Sequence, residues 1–290
     1  MTPLRQKMID DMKLRRLADA TIHAYTYNVE KFSCYFKTSP ENLTLDHVRE
    51  YLLYLMNERR CAPLTINQNI NSIRFLWVHT LHREWDIKQS IRQRQPRKLP
   101  VILNHDEIDR MFNAIKNRKD QIAFSLCYCC GLRLQELMSI KVADIDFERT
   151  ALHIHNGKGA KDRIVPIPGS LLKPLKIYIT WQKASDYLFP SPHDSTKPLT
   201  GDSFQRFFSK LRVSCKILKE ISPHSLRHTY ATNLLENGVP LLAIQKLLGH
   251  KNIHTTLKYL HLTTNIEDHT QAVIEHLNPY NAKQSSSGVI

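Results

Sequence analysis

Residues 222–259 read SPHSLRHTYATNLLENGVPLLAIQKLLGHKNIHTTLKY. The spacing of their apolar positions predicts two helices, over 223–237 and 240–248. Gly249 reads as the C-cap of the second, which would turn His250 out of the helix. Tyr259 follows His250 by nine residues. His224 with His228, and His250 with His254, are each spaced i, i+4 and so could pair on a metal. No His-Glu-x-x-His pattern accompanies them, and no metal site is expected.

Upstream of this stretch lie two further motifs. Gly131-Leu132-Arg133-Leu134-Gln135-Glu136-Leu137 follows the apolar run 122–130. Gly157-Lys158-Gly159 lies in a glycine-rich hairpin tip between two short strands, 150–155 and 162–166. Glu136 stands one turn after Arg133 and reads as structural, holding Arg133 or a neighbouring backbone in place. Further helices are expected over 104–116, after Asp120, and near 171–183 and 201–215. Asn104 with Glu107 resembles a capping box at the start of the first of these.

The amino-terminal part reads as four helices. They cover 3–14, 19–36 with Asp19 as cap, 45–57 after Thr44 with Val48, Leu52, Leu55 and Met56 on one face, and a stretch following Pro63 to about His82. Only 8 glycines occur in 290 residues, and the fold class is mainly α. Between the two parts, Arg92, Arg94, Arg97 and Lys98 crowd around Pro96. This is the best linker. It is either a solvated connector or a strap lying on phosphates. The expected division is 1–92, a basic linker 93–100, a second domain 101–280, and a disordered tail 281–290.

Lys and Arg total 41 against 27 Asp and Glu, a formal net charge of +14. Such an excess draws polyanions, and nucleic acid is the first partner to consider. No run approaches the roughly 18 apolar residues of a spanning helix. The first 20 residues lack an apolar signal core, so a soluble, intracellular protein without a membrane partner is expected. The six cysteines are too sparse for a disulfide scaffold. Cys127, Cys129 and Cys130 are expected in the core, and with no second Cys-x-x-Cys pair a structural zinc is not expected.

An Arg, a hairpin Lys, a His-x-x-Arg, a Leu-Gly-His and a Tyr nine residues after that His occur in this order. Together they resemble the tyrosine recombinase (phage integrase) family, strongly in the second part and diffusely over about 4–277. The resemblance implies a two-domain clamp: a helical core-binding domain and a mostly α catalytic domain with a small antiparallel sheet near 150–166 and 187–189. It implies that Tyr259 is the nucleophile, served by Arg133, Lys158, His224, Arg227 and His250. Arg133 and Arg227 would clamp the phosphate, because a guanidinium fork meets two oxygens and stays charged. Lys158 (with Lys161 as a nearby competitor) would protonate the leaving 5′ oxygen, and His224 would help Tyr259 lose its proton. His250 would donate to the scissile phosphate.

The implied product is a 3′-phosphotyrosine, whose stored bond energy makes cofactor, ATP and metal unnecessary. Gln135 departs from the smaller residue that relatives often carry there. The chain is similar to compact integrase or Xer-like members, as carried by mobile elements in the bacterial cytoplasm and on its nucleoid. The implied partners are site-specific double-stranded DNA, other copies of the chain (two per site, four in the synapse) and, where one is needed, an accessory protein. A helix after Thr264, with Ile266, Val273, Ile274 and Leu277 on one face, would dock on a neighbour or on its own domain.

Overall fold

The amino-terminal unit, Met1–Arg97, starts each helix with local chemistry. In α1 (Pro3–Leu14) Pro3 takes the first turn, where its missing N–H is not needed, and Thr2 Oγ1 accepts from Arg5 N at 3.3 Å. In α2 (Asp19–Phe36) the cap is not Asp19 but Ala18, which makes no side-chain bond. Asp19 sits one residue further in, where its carboxylate complements the helix dipole. α3 (Leu45–Asn57) follows Thr44, whose N–H donates to His47 Nδ1 at 3.1 Å. It buries Val48, Tyr51, Leu52 and Leu55, with Met56 half-buried. α4 (Pro63–Phe75) runs on as a π turn, Leu76–Thr80, rather than as α-helix to His82. The wider turn lets the adjacent Leu76 and Trp77 both face inward.

Two apolar clusters hold this unit. Phe32, Val48, Leu52, Ile73 and Trp77 form one, and Met8, Met12 and Leu76 the other. Each fully buried side chain of this size contributes roughly 1.5–3 kcal/mol relative to exposure.

The computed structural model describes residues 2–86, 93, 99–155, 162–182, 185–260 and 262 of the 290. The expected basic linker residues Arg92, Arg94, Arg97 and Lys98 lie outside the described residues. So do Lys158 and Lys161, the helix after Thr264 and the tail from 281. No helix among the described residues is long and apolar enough to cross a membrane.

The second unit, Lys98–Ile290, opens with α5 (His105–Ala114). Its capping box is formed as expected: Glu107 N donates to Asn104 Oδ1 at 2.8 Å and Asn104 N to Glu107 Oε2 at 2.9 Å. α6 (Arg118–Cys129) crosses the core, with Ala123, Phe124, Leu126 and Cys127 buried. All six cysteines are free. Cys127 and Cys130 are buried, and Cys129 is only half-buried.

A short α7 (Leu134–Ser139) precedes a three-stranded antiparallel sheet of β1 (Ile145–Asp146), β2 (Ala151–Ile154) and β3 (Arg163–Pro166), in the order β1-β2-β3. His153 pairs with Ile164, and Ile154 with Arg163. The segment 187–189 does not join this sheet: Tyr187 makes an isolated bridge to Lys141, and Leu188 N donates to Ile140 O at 2.8 Å. Leu188 and Phe189 are both buried in succession, which breaks strand alternation, and Pro190 cannot donate to a ladder.

α8 (Gly169–Trp181), α9 (Gly201–Ser214), α10 (Pro223–Glu236), α11 (Leu241–Leu248) and α12 (His254–Leu257) follow. α10 packs on α6, and α11 packs on α10, on α12 and on β3. Through these contacts four sequence-distant segments meet at one place.

Candidate active site

α10 sets His224, Arg227 and His228 at i, i+3 and i+4, on one face. Pro223 occupies its first turn, and Ser222 N donates to Ser225 Oγ at 3.2 Å. His224, at the helix start, is exposed, while His228 and Arg227 are buried.

A fully buried guanidinium demands acceptors. Arg227 Nη1 donates to Gly131 O at 2.6 Å and Nη2 donates to Leu248 O. Its Nε has no hydrogen-bond partner among the described residues. Burial and the nearby Arg133 push its pKa down to about 10, so it stays cationic at neutral pH. Gly131 makes the approach possible. It has φ +58, and a Cβ there would stand 2.3 Å from Tyr230 Cδ1.

Arg133 is the N-cap of α7 and folds back on Glu136 in the same turn. Its N–H donates to Glu136 Oε2 at 2.8 Å and its Nη1 to Oε1 at 2.7 Å. Its Nη2 reaches Gly249 O at 3.4 Å. Glu136 therefore holds both the side chain and the backbone of Arg133. From the other side comes Arg163, whose Nη1 and Nη2 donate to Glu136 Oε1 and Oε2 at 2.9 and 2.8 Å. Burial alone would raise the Glu136 pKa, but the bonds from Arg163 and Arg133 bring it down to about 2. Arg227 Nη1 stands 3.9 Å from the same carboxylate. Three guanidinium groups around one carboxylate leave an excess of positive charge, which a phosphate would offset.

Tyr259 lies two residues beyond α12 and is fully buried. Its N–H donates to Thr256 O at 3.0 Å, and its hydroxyl lies 3.0 Å from His228 Nδ1. Burial raises its pKa to about 12, against the pull of Arg227 and Arg133. Burial, with Lys258 and the neighbouring His224, lowers His228 to about 3. Both groups are neutral at neutral pH, and a neutral imidazole whose Nδ1 faces a phenol can accept a hydrogen bond from it.

The family resemblance assigns this place to His224. That ring packs edge-on against His228, with centroids 4.5 Å apart, and is one turn nearer the surface. Although the residue as a whole is exposed, partial desolvation of its ring and then Arg227 lower the pKa of His224 too.

Gly249 caps α11 in the left-handed conformation, φ +62, as its position predicts. His250 N donates to Gln245 O at 3.1 Å, and Gln245 Nε2 returns a bond to His250 O at 3.0 Å. The His250 ring is fixed by Thr256 Oγ1, 2.9 Å from Nδ1, and lies stacked 6.4 Å from the Tyr259 ring. Burial and Arg227 push its pKa down to about 3.

Arg133, His224, Arg227, His250 and Tyr259 are thus brought to one site with Glu136 among them. Lys158 lies outside the described residues. Sequence reasoning passed over His228, seen only as half of a metal-type pair. It also passed over Arg163, whose one signal was a charge on the inward side of a strand, in step with the buried Val165. No group of three or more metal-ligating side chains occurs among the described residues.

The chain matches the phage integrase family over residues 102–265, and the phage integrase N-terminal SAM-like domain over residues 4–87. It belongs to the phage integrase family. A tyrosine recombinase of Pseudothermotoga lettingae is 35% identical to this integrase-family chain over 265 residues, 87% of this chain and 90% of that protein. The crystal structure of XerA recombinase is 27% identical, covers 93% of this chain and 98% of its own, and has a TM-score of 0.54. The fold is also that of the XerH site-specific recombinase bound to palindromic difH substrate. That structure is 20% identical with a TM-score of 0.69, over 91% of this chain and 83% of its own.

Proposed function

We propose that this integrase-family chain is a tyrosine-type recombinase that cuts and rejoins DNA at a specific site, with Tyr259 as nucleophile. Tyr259 Oη attacks the scissile phosphorus. A tyrosyl O–P bond forms, the P–O5′ bond breaks, the phenolic proton passes to His228, and the departing 5′ oxygen takes a proton from Lys158. The phosphate charge rises from one toward two in the transition state. Arg133 and Arg227 are aimed at that change, and each preorganised donor is worth roughly 3–4 kcal/mol. His224 and the Nε2 of His250 complete the phosphate contacts. Attack by the free 5′ hydroxyl of another strand reverses the step without any external energy source.

The observation that carries this reading is the buried Tyr259 hydroxyl, bonded to a neutral His228 and flanked by a carboxylate-ordered cluster of arginines. In the same reading, residues 1–92 form the core-binding domain, 93–100 lie along phosphates, and 101–280 form the catalytic domain. Two copies occupy each site and four assemble the synapse, through the helix after Thr264. The protein acts on the bacterial nucleoid, as part of a mobile element. The test uses labelled fragments of the DNA flanking its own gene, nicked beyond the scissile position, in EDTA. An SDS-resistant, protease-sensitive adduct supports the proposal, and no adduct despite tight binding counts against it.

A further inference from the structure

We propose that Arg163, on β3, is a positioning residue for the phosphate clamp: it sets Glu136, and through Glu136 the guanidinium of Arg133, by anchoring both to the end of α11. The inference rests on the reading of the site as a DNA-cleaving centre. Three bonds define the device. Two are the paired bonds from Arg163 to Glu136, at 2.9 and 2.8 Å. The third runs from Arg163 Nε to Leu247 O at 2.8 Å.

Leu247 is adjacent to Leu248, whose carbonyl accepts from Arg227, and two residues before Gly249, whose carbonyl accepts from Arg133. One guanidinium thus ties β3, α7 and the end of α11 together, at the points where both clamp arginines are held. The side chains of Arg163 and Glu136 are 8% and 7% exposed, so water does not replace these bonds easily.

Gly249 marks how tightly this is built. A Cβ at that position would stand 3.0 Å from Arg163 Cδ and 3.1 Å from its Nη1. The guanidinium therefore lies against the Gly249 backbone, at the turn that sends His250 toward Tyr259. Arg163 touches no reacting atom. Among the described residues its bonds go to Glu136 and Leu247, whereas Arg227 keeps Nε without a partner among the described residues.

A lysine at 163 keeps the charge and most of the stem, but it cannot make two parallel bonds to a carboxylate and a third to a carbonyl. The test compares wild type, Arg163→Lys, Arg163→Gln and Tyr259→Phe on the mapped site DNA, following DNA binding, thermal melting and the rate of adduct formation. Each protein is also given DNA with a neutral methylphosphonate at the scissile position, which no longer needs a cationic clamp, and DNA with a 5′-bridging sulfur, which no longer needs its leaving group protonated.

The expected result is that Arg163→Lys binds DNA within about threefold of wild type and forms adduct at least tenfold more slowly. The deficit should shrink to within about threefold on methylphosphonate and persist on the bridging sulfur. Equal rates for Arg163→Lys and wild type would overturn the inference. So would a deficit cured by the bridging sulfur instead, or loss of DNA binding along with cleavage in both Arg163 variants. Absence of adduct from wild type itself would sink the underlying reading.

Discussion

Tyr259 Oη and His228 Nδ1 lie 3.0 Å apart, both within the buried interior of the second unit. The nucleophile is thus held on a neutral acceptor rather than presented to solvent. Replacing His228 by Gln should leave DNA binding intact and slow adduct formation by about 10²-fold, the usual contribution of a positioned base. The matched variant His224→Gln separates the two rings. If His224→Gln alone slows the step, the proton goes to the exposed histidine and not to His228.

Glu136 is the common partner of Arg133 and Arg163 and stands near Arg227. Glu136→Gln keeps the shape but leaves buried guanidinium groups without a counter-charge. It should lower stability by about 3–5 kcal/mol, the range for breaking a buried pair. Chemical unfolding of the two proteins at pH 7 measures this. A change below 1 kcal/mol would mean that the cluster is open enough for water to stand in for the carboxylate.

Acid should act on the same cluster with a defined sign. His228 is lowered from 6.5 to about 3, so the unfolded chain binds a proton that the folded chain refuses. Its contribution is complete above pH 6.5 and is lost as pH falls toward 3. Glu136, lowered from 4.5 to about 2, adds a second loss below pH 4.5. Unfolding free energies at pH 7, 5.5 and 4 should therefore decline, and His228→Gln should flatten the first part of the decline. A stability independent of pH over this range would show that the imidazole is solvated in the folded state.

Much of this was legible beforehand. The helices 3–14, 19–36 and 45–57 followed from apolar spacing, and the Asn104–Glu107 box and the Gly249 cap followed from local chemistry that needs no tertiary context. The strand at 187–189 was implied by the family resemblance alone, and the consecutive burial of Leu188 and Phe189 is incompatible with it. The two-residue β1 carries too little pattern to be seen. At the site, motif spacing gave the residue types but not the depth of Tyr259, and depth decides which of two histidines on one face reaches its hydroxyl. Arg163 was invisible because its partner, Glu136, is 27 positions away.

Gly249→Ala places a side chain in the left-handed region and against Arg163 at once. The conformation alone costs about 1–2 kcal/mol, and a lower melting temperature with slower cleavage is expected. A variant as stable and active as wild type would show that the end of α11 can relax without disturbing His250.

The basic cluster Arg92, Arg94, Arg97 and Lys98 has a test of its own. Changing all four to Gln should reduce the slope of log affinity against log salt by up to about 3.6, since each neutralised phosphate contributes roughly 0.9. An unchanged slope would make the segment a connector only.

The central claim is that the covalent bond to DNA forms on Tyr259. Proteolysis of the trapped adduct, nuclease trimming and fragmentation of the nucleotide-bearing peptide would locate the bond. The account predicts a 3′-phosphonucleotide on Tyr259 and none on Tyr280, which falls in the same tryptic peptide. A nucleotide on any other residue would contradict it.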